Sequence, residues 1–557
     1  MLHALFDDNE YTMDRRLFIK ALTTASIGIP ILTACGGGSN NSGGGGGTGG
    51  GVTPSAGLRF EHGVASGDPL DDRVILWTRA TPALGHTGDI TVLCEIAEDP
   101  SFERIVLSET LSSNANRDYT VKFDAAGLLA DRRYWYRFKG ADSSSPVGRA
   151  RTLPLPGQYT DRLRFAVCSC SSYPHGYFSV YRMMANRADL DFVMHLGDYI
   201  YEYGQDEYGD HPERLLDPAH EIVSLDDYRR RYALYRRDVD LQATHATHSF
   251  VTVWDDHETT DNSYKDGANN HNEGEGDWFE RKRLAIQAYF EWLPIRPPTA
   301  SQDSIYRAFR FGDLADFVML DTRLEGREKQ LDNPVDPARI EQRDLLGQTQ
   351  KDWFKNQLAV SQGIWKFVGQ QVMFAQLQIL ELQRLLPGVP TNDFSPLIAV
   401  NMDQWDGYPT EREEILDFID EQGIQNTVIL TGDIHTSWAN EVYKSSAILT
   451  SGVLDEPLAV EFVTSSITSP GFPDGAAELV SAVLPVANPH MKYTDLKNKG
   501  FILMDVTRER TQAEYYYAAD ISRADQSGVE MDKVKTLSVN AGSSRLVEDT
   551  PVSRPRS

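Results

Sequence analysis

From about residue 161 onward one pattern repeats: a short apolar run ends in a polar cluster, and an amphipathic stretch follows. The runs 163–167, 192–196, 250–254, 317–320, 365–368 and 427–430 have the length of buried strands. Stretches 179–186, 277–291 and 410–421 have helical spacing. This alternation predicts an α/β domain over 160–525, where functional residues collect at the carboxyl ends of strands. Ahead of it, over 57–153, the period shortens. Val74-Ile75-Leu76-Trp77-Thr78-Arg79, Ile90 to Ile96 and Arg133 to Phe138 are β-branched and aromatic runs at regular spacing. They predict a small all-β sandwich, and the passage from Gly127-Leu128-Leu129 to Phe138 resembles that of fibronectin/Ig-like domains. Residues 152–157 read as the linker, and 526–557 as a C-terminal extension.

The first 56 residues carry a different pattern. Arg15-Arg16-Leu17-Phe18-Ile19-Lys20 precedes an apolar stretch from Ala21 to Ala34. That stretch is shorter than the roughly 20 residues a membrane span requires, and with its basic start it predicts a signal sequence over 1–35. The paired arginines in this frame resemble a twin-arginine signal, and Leu32-Thr33-Ala34-Cys35 resembles a lipobox. The expectation is export by the twin-arginine machinery and attachment to a membrane through a lipid on Cys35. The Gly/Ser-rich segment 36–56 would be the tether.

At 557 residues the chain has room for several domains, and its net charge of −27 excludes a sequence-independent nucleic-acid binder, which needs a basic surface. No sequence-specific nucleic-acid partner is expected. An anionic substrate would have to be attracted locally, by metal ions or a few cationic side chains. Four cysteines are too few for a disulfide framework. Cys94 reads as a small buried hydrophobe, and Cys168 and Cys170 are poorly placed to bridge.

Four strand ends offer metal ligands: Val167-Cys168-Ser169-Cys170, His195-Leu196-Gly197-Asp198-Tyr199-Ile200-Tyr201, Trp254-Asp255-Asp256-His257-Glu258 and Leu430-Thr431-Gly432-Asp433-Ile434-His435. A single Gly-Asp after a strand is usually a turn. Four such ends in order, offering carboxylate, imidazole, phenol and thiol, point to a metal centre. Arg323, at another strand end, either touches phosphate or pairs with Asp321. Tyr199, Tyr203 and Tyr208 read as packing or cleft-lining residues. His245 and His248 read as surface or capping residues, and Asp206, Glu207 and Asp210 as a solvated loop.

These motifs, with His175-Gly176-Tyr177-Phe178 and Trp405-Asp406-Gly407-Tyr408-Pro409, resemble the PhoD-type alkaline phosphatases of the calcineurin-like metallophosphoesterase superfamily. The resemblance spans roughly 57–520. It implies a metallophosphoesterase-type β-sandwich flanked by helices, one Fe3+ and two Ca2+, and phosphate monoesters and diesters as substrates. By the same resemblance Asp198 bridges metals, Cys170, Tyr201 and His435 hold iron, Asp256 and Asp433 hold the second metal, and His257 faces the scissile phosphate. Cys170 is chosen over Cys168 by the family's distance to His175. One departure stands out. The end Val368-Gly369-Gln370-Gln371 lacks the histidine that many superfamily members carry between these motifs, which suits calcium better than zinc or manganese. A dedicated phosphodiesterase or phospholipase D of the same fold, and a non-catalytic calcium-binding surface lipoprotein, are the alternatives. The expected location is the periplasm or cell surface.

Overall fold

The computed structural model describes residues 53–297, 304–333, 336–380, 397–399, 401–444, 456–472, 488–524 and 533–552, with a few positions between 477 and 485. The twin-arginine and Cys35 expectations lie outside the described residues. Among those described, no helix is long and apolar enough to cross a membrane.

Two large sheets face each other. At the centre of one, Arg162–Cys168, Phe192–His195 and Ser249–Thr252 run parallel; at the centre of the other, Ala315–Met319, Trp365–Gln370, Thr427–Thr431 and Ala459–Val463 do. These strands are nearly continuous apolar runs because both faces are covered. Four phenylalanines show how the layers interlock. Phe165 stacks on Phe192 at 4.9 Å and Phe317 on Phe367 at 5.1 Å, and Phe165 meets both rings of the other pair edge-on at 5.4 Å. The outer face of the second sheet is covered by helices Gln348–Val360 and Pro409–Glu421, through Phe354, Leu358, Ile415, Leu416 and Ile419. This is the α/β arrangement expected from the alternation of runs.

Strands Ile105–Ser113, Ile90–Ala97, Arg133–Lys139 and Gly148–Arg151 form a four-stranded sheet. It packs on Val64–Gly67, Arg73–Arg79 and Thr120–Ala126 around Val74, Leu76, Val92, Cys94, Tyr136 and Phe138. The Tyr134 hydroxyl accepts from the Leu129 N–H at 2.9 Å, a tyrosine corner of the fibronectin-like kind. The second layer of this sandwich is not separate. Val64–Gly67 pairs in parallel with Ser249–Thr252, so the small domain extends the large sheet. At the opposite edge Lys535–Asn540 pairs with Arg510–Tyr517. The residues read as an extension beyond 525 therefore supply a strand to the same sheet.

His245 differs from expectation, and His248 meets the capping alternative without being exposed. His245, on helix Val239–Thr247, is fully buried, stacked 3.9 Å from Phe250 and 2.9 Å from the Tyr199 hydroxyl. His248 does cap that helix, but it too is buried, its Nε2 3.0 Å from the Met184 carbonyl. Neither is a surface residue; each polar ring is accommodated by a partner from another element.

Candidate metal centre

The strand ends converge because each leaves its sheet through a sharp turn. Cys170, Asp198, Asp433 and His435 all adopt left-handed backbone, with φ of 63°, 55°, 62° and 60°. A non-glycine residue there costs roughly 1–2 kcal/mol, and such strain concentrates at functional sites. Gly197 makes one turn possible: its φ is 102°, and a Cβ would sit 2.4 Å from the Asp255 backbone nitrogen. Glu258 then ties two ends together, its carboxylate accepting from the N–H groups of Asp198 (3.0 Å), Tyr199 (2.5 Å) and Asp255 (2.7 Å).

Three ligand groups result: Cys170 with Asp198 and His435, Asp198 with Asp256 and His257, and Asp255 with Asp256 and Asp433. In each the donor atoms lie within 4.8 Å of one another. Asp198 is common to the first two and Asp256 to the last two. Tyr201 joins the first group, its hydroxyl donating to Asp198 Oδ2 at 2.9 Å and lying 3.1 Å from His435 Nε2, with Ser469 Oγ donating to it at 2.6 Å. The eight sequence-predicted site residues are thus brought to one buried place. Cys168 is not among them; it lies in the core between the sheets.

The two histidines are set for different tasks. His435 Nδ1 lies 3.0 Å from the Pro470 carbonyl, which can only accept. The ring hydrogen is therefore on Nδ1, and the Nε2 lone pair faces Asp198 and Tyr201. Burial lowers the pKa of this ring, against the pull of Asp198, which favours a neutral ligand. His257 Nδ1 lies 2.7 Å from Glu202, a fully buried carboxylate that also accepts from Thr260, Asp261 and Asn270. Burial opposes the charge on His257, but Glu202, Asp256 and Asp198 outweigh it and hold the ring protonated well above its ordinary value. Cations on Asp198 and Asp256 would cancel their part, leaving Glu202 as the persistent source.

The Arg323 side chain does not pair with Asp321. Its guanidinium is fully buried and bonds Asp255 (2.5 Å), Asp403 (2.8 Å) and Asp433 (2.7 Å), with Asp256 at 3.5 Å. Asp321 takes only its backbone N–H, at 2.8 Å. Four carboxylates around one guanidinium leave an excess of negative charge. Burial and neighbouring carboxylates raise Asp433 to about 8, against the pull of Arg323, and push Asp255 in the same direction. Buried oxygens also remain without a hydrogen-bond partner: Asp198 Oδ1, Asp255 Oδ2, Asp256 Oδ1 and Asn262 Oδ1. Oxygen acceptors left over in a site rich in carboxylates are what cations satisfy, so the residues fit a metal centre. Cys170, whose thiol burial and Asp198 push well above the ordinary range, fits as a ligand only where a cation displaces its proton.

Sequence reading missed Glu202, Asp255, Asn262, Asp403, Ser469 and Lys499. Glu202 and Asp255 stand inside quoted motifs and were within reach. Asn262 and Asp403 follow no strand end. Lys499, with its Nζ buried and unpartnered and its pKa lowered to about 7 mainly by burial, carried no local signal. Gln370 and Gln371 are spent on structure: Gln371 bonds Thr322 and the Leu320 carbonyl, Gln370 bonds Thr431 and Trp405.

The profile of the PhoD-like phosphatase family matches residues 165–515, and that of the N-terminal domain of PhoD-like phosphatases matches 49–154. Alkaline phosphatase D of Bacillus subtilis (strain 168) is 35% identical over 522 residues, which cover 90% of this chain and 84% of that protein. A solved structure described as the structure of PhoD superposes with a TM-score of 0.77 at 33% identity, covering 90% of this chain and 94% of that one.

Proposed function

Since this chain belongs to the PhoD-like phosphatase family, and is thereby a phosphoric ester hydrolase, we propose that it is an exported, lipid-anchored alkaline phosphatase that releases phosphate from monoesters and diesters. The carrying observation is the set of three linked ligand groups sharing Asp198 and Asp256. In this reading Cys170, Tyr201 and His435, with Asp198, hold one ferric iron. Asp198, Asp256 and Asp433 serve two calcium ions, with oxygens available from Asp255, Asp403 and Asn262. When bound, the metals supply positive charge against the phosphoryl oxygens and lower the pKa of a water from 15.7 toward about 7.

The chain's own groups do the rest. Glu202 fixes the His257 ring with Nδ1 occupied, so Nε2 is the atom that carries a proton toward the leaving oxygen. Arg323 acts as the fixed counter-charge that keeps Asp255, Asp403 and Asp433 in place. Its engagement with these acids supports a positioning role over a contact to phosphate. Arg15-Arg16 and Cys35 support export and anchoring, and phosphate acquisition outside the cytoplasm follows from that location.

The test is metal analysis and visible absorption of purified protein, with turnover of a monoester and a diester on the same preparation. Iron with calcium, a charge-transfer colour and hydrolysis of both esters are expected. A colourless zinc enzyme would overturn the metal assignment, and hydrolysis of diesters alone would favour the dedicated phosphodiesterase.

A further inference from the structure

The loop after the second strand end carries a phenol for which the metal centre has no use. Gly204 N–H donates to Glu207 at 2.8 Å, Gln205 N–H to the Ala219 carbonyl at 2.7 Å, and His211 N–H to the Pro174 carbonyl at 3.0 Å. Gly209, at φ 94°, lets the loop lie against His175; a Cβ there would sit 2.9 Å from that ring and 3.0 Å from the Pro174 carbonyl. Pinned on both sides, the loop turns Tyr208 inward. Its ring centroid lies 4.7 Å from His175, 5.0 Å from Tyr203, 5.4 Å from Tyr201 and 6.4 Å from His257. Tyr208 therefore abuts both a proposed metal ligand and the proposed acid.

Its hydroxyl has no hydrogen-bond partner among the described residues, although Asp198, Cys170, Asp261 and Glu202 are the charged groups that act on it most strongly. Part of this set is bonded to other donors. Asp198 Oδ2 takes Tyr201, and Glu202 takes His257, Thr260, Asp261 and Asn270. Tyr208 is half-buried, so this hydroxyl faces the cleft with no acceptor from the chain, and in a binding site the ligand commonly supplies what is missing. We propose that Tyr208 is a further substrate-contacting residue, its phenol donating a hydrogen bond to a non-bridging oxygen of the phosphoryl group held at Asp198. A neutral donor suits this place, because it stabilises an oxyanion without competing with the metals for carboxylates. The ring itself forms a wall beside His257 for the departing group.

The inference rests on the metal-centre reading, and its test separates the two. Tyr208→Phe keeps every ring contact and removes only the hydroxyl. Metal content should stay at the wild-type level, calorimetric affinity for inorganic orthophosphate should fall about 10- to 100-fold, and kcat/KM on an aryl phosphate should fall by a similar factor, as for a hydrogen bond to a charged group. A Tyr208→Phe protein that binds orthophosphate as tightly as wild type overturns this inference alone, and so does one that loses metal. Wild-type protein that holds no metal overturns the underlying reading and this inference with it.

Discussion

His257 and His435 stand at one centre, and the difference between them lies in what each Nδ1 touches: a carboxylate for His257 and a carbonyl for His435. His257→Ala is therefore expected to retain its metals and lose roughly 10²–10⁴ in kcat. The loss should be larger for alkyl than for nitrophenyl esters, because a good leaving group needs little protonation. Metal analysis beside a leaving-group series checks it; equal losses across all esters would make His257 a ligand or a structural residue. Cys170→Ser should remove most iron colour and activity, since an alcohol stays neutral at the pH where a metal-bound thiol has ionised. Cys168→Ser should keep both and lower stability by about 1–3 kcal/mol, because its hydroxyl enters the apolar core. Exchange of the two phenotypes would show the ligand to be Cys168. Much of this site was legible in the sequence, since Asp198, Asp256, Asp433 and His435 each closely follow the end of an apolar run. The choice between Cys168 and Cys170 came only from the family's spacing to His175, not from the local pattern. Both sit at the same strand end, and only the turn at Cys170 separates core from cleft. Asp403 and Asn262 reach the centre from irregular segments whose path is set by tertiary packing, which no local pattern encodes.

At the scale of elements, the small sandwich and the large domain are joined by side chains as well as by a shared sheet. Trp77, on Arg73–Arg79, donates its indole N–H to the Glu291 carbonyl at 2.8 Å and packs 5.8 Å from Trp292. The Arg236 guanidinium lies over the indole of Trp77, 4.4 Å from the ring centroid. Trp77→Ala is expected to cost about 3–5 kcal/mol and to lower the melting temperature of the whole molecule in a single transition. Two separated transitions by calorimetry would mean that the units unfold independently. Runs such as 365–368 and 427–430 revealed their strands because both faces are buried. The pairing of Val64–Gly67 with Ser249–Thr252 was hidden: each segment reads as a strand, but nothing local states which neighbour it will find. His245 misled for a related reason, since the Tyr199 hydroxyl that accommodates it comes from a distant strand end.

For the whole molecule the governing quantity is negative charge, −27 overall, with Asp255, Asp256, Asp403 and Asp433 gathered around Arg323 at the centre. With metals removed, the raised carboxyls of Asp433 and Asp255 bind more protons in the folded than in the unfolded state. Their contribution is thus present below the ordinary value of 3.8 and is lost as pH rises through about 8. Chelated protein should melt at progressively lower temperature from roughly pH 5 to roughly pH 8, and added calcium should raise the melting temperature more at the upper end. A chelated protein that gains stability over that range would contradict the charge argument. A calcium-selective chelator should also stop turnover while leaving iron colour. Restoration by zinc and not by calcium would reverse the assignment. Replacing Arg15 and Arg16 by Lys should hold the precursor in the cytoplasm; normal export would exclude the twin-arginine route. The strand shared between the domains bears on how such a precursor reaches its final form. Ser66 and Ser249, whose hydroxyls meet at 2.9 Å across that pairing, are 183 residues apart in the chain. Contacts of such separation form slowly, because a long loop must close before they stabilise anything. The first domain to leave the ribosome therefore waits for the middle of the chain before this pairing can form.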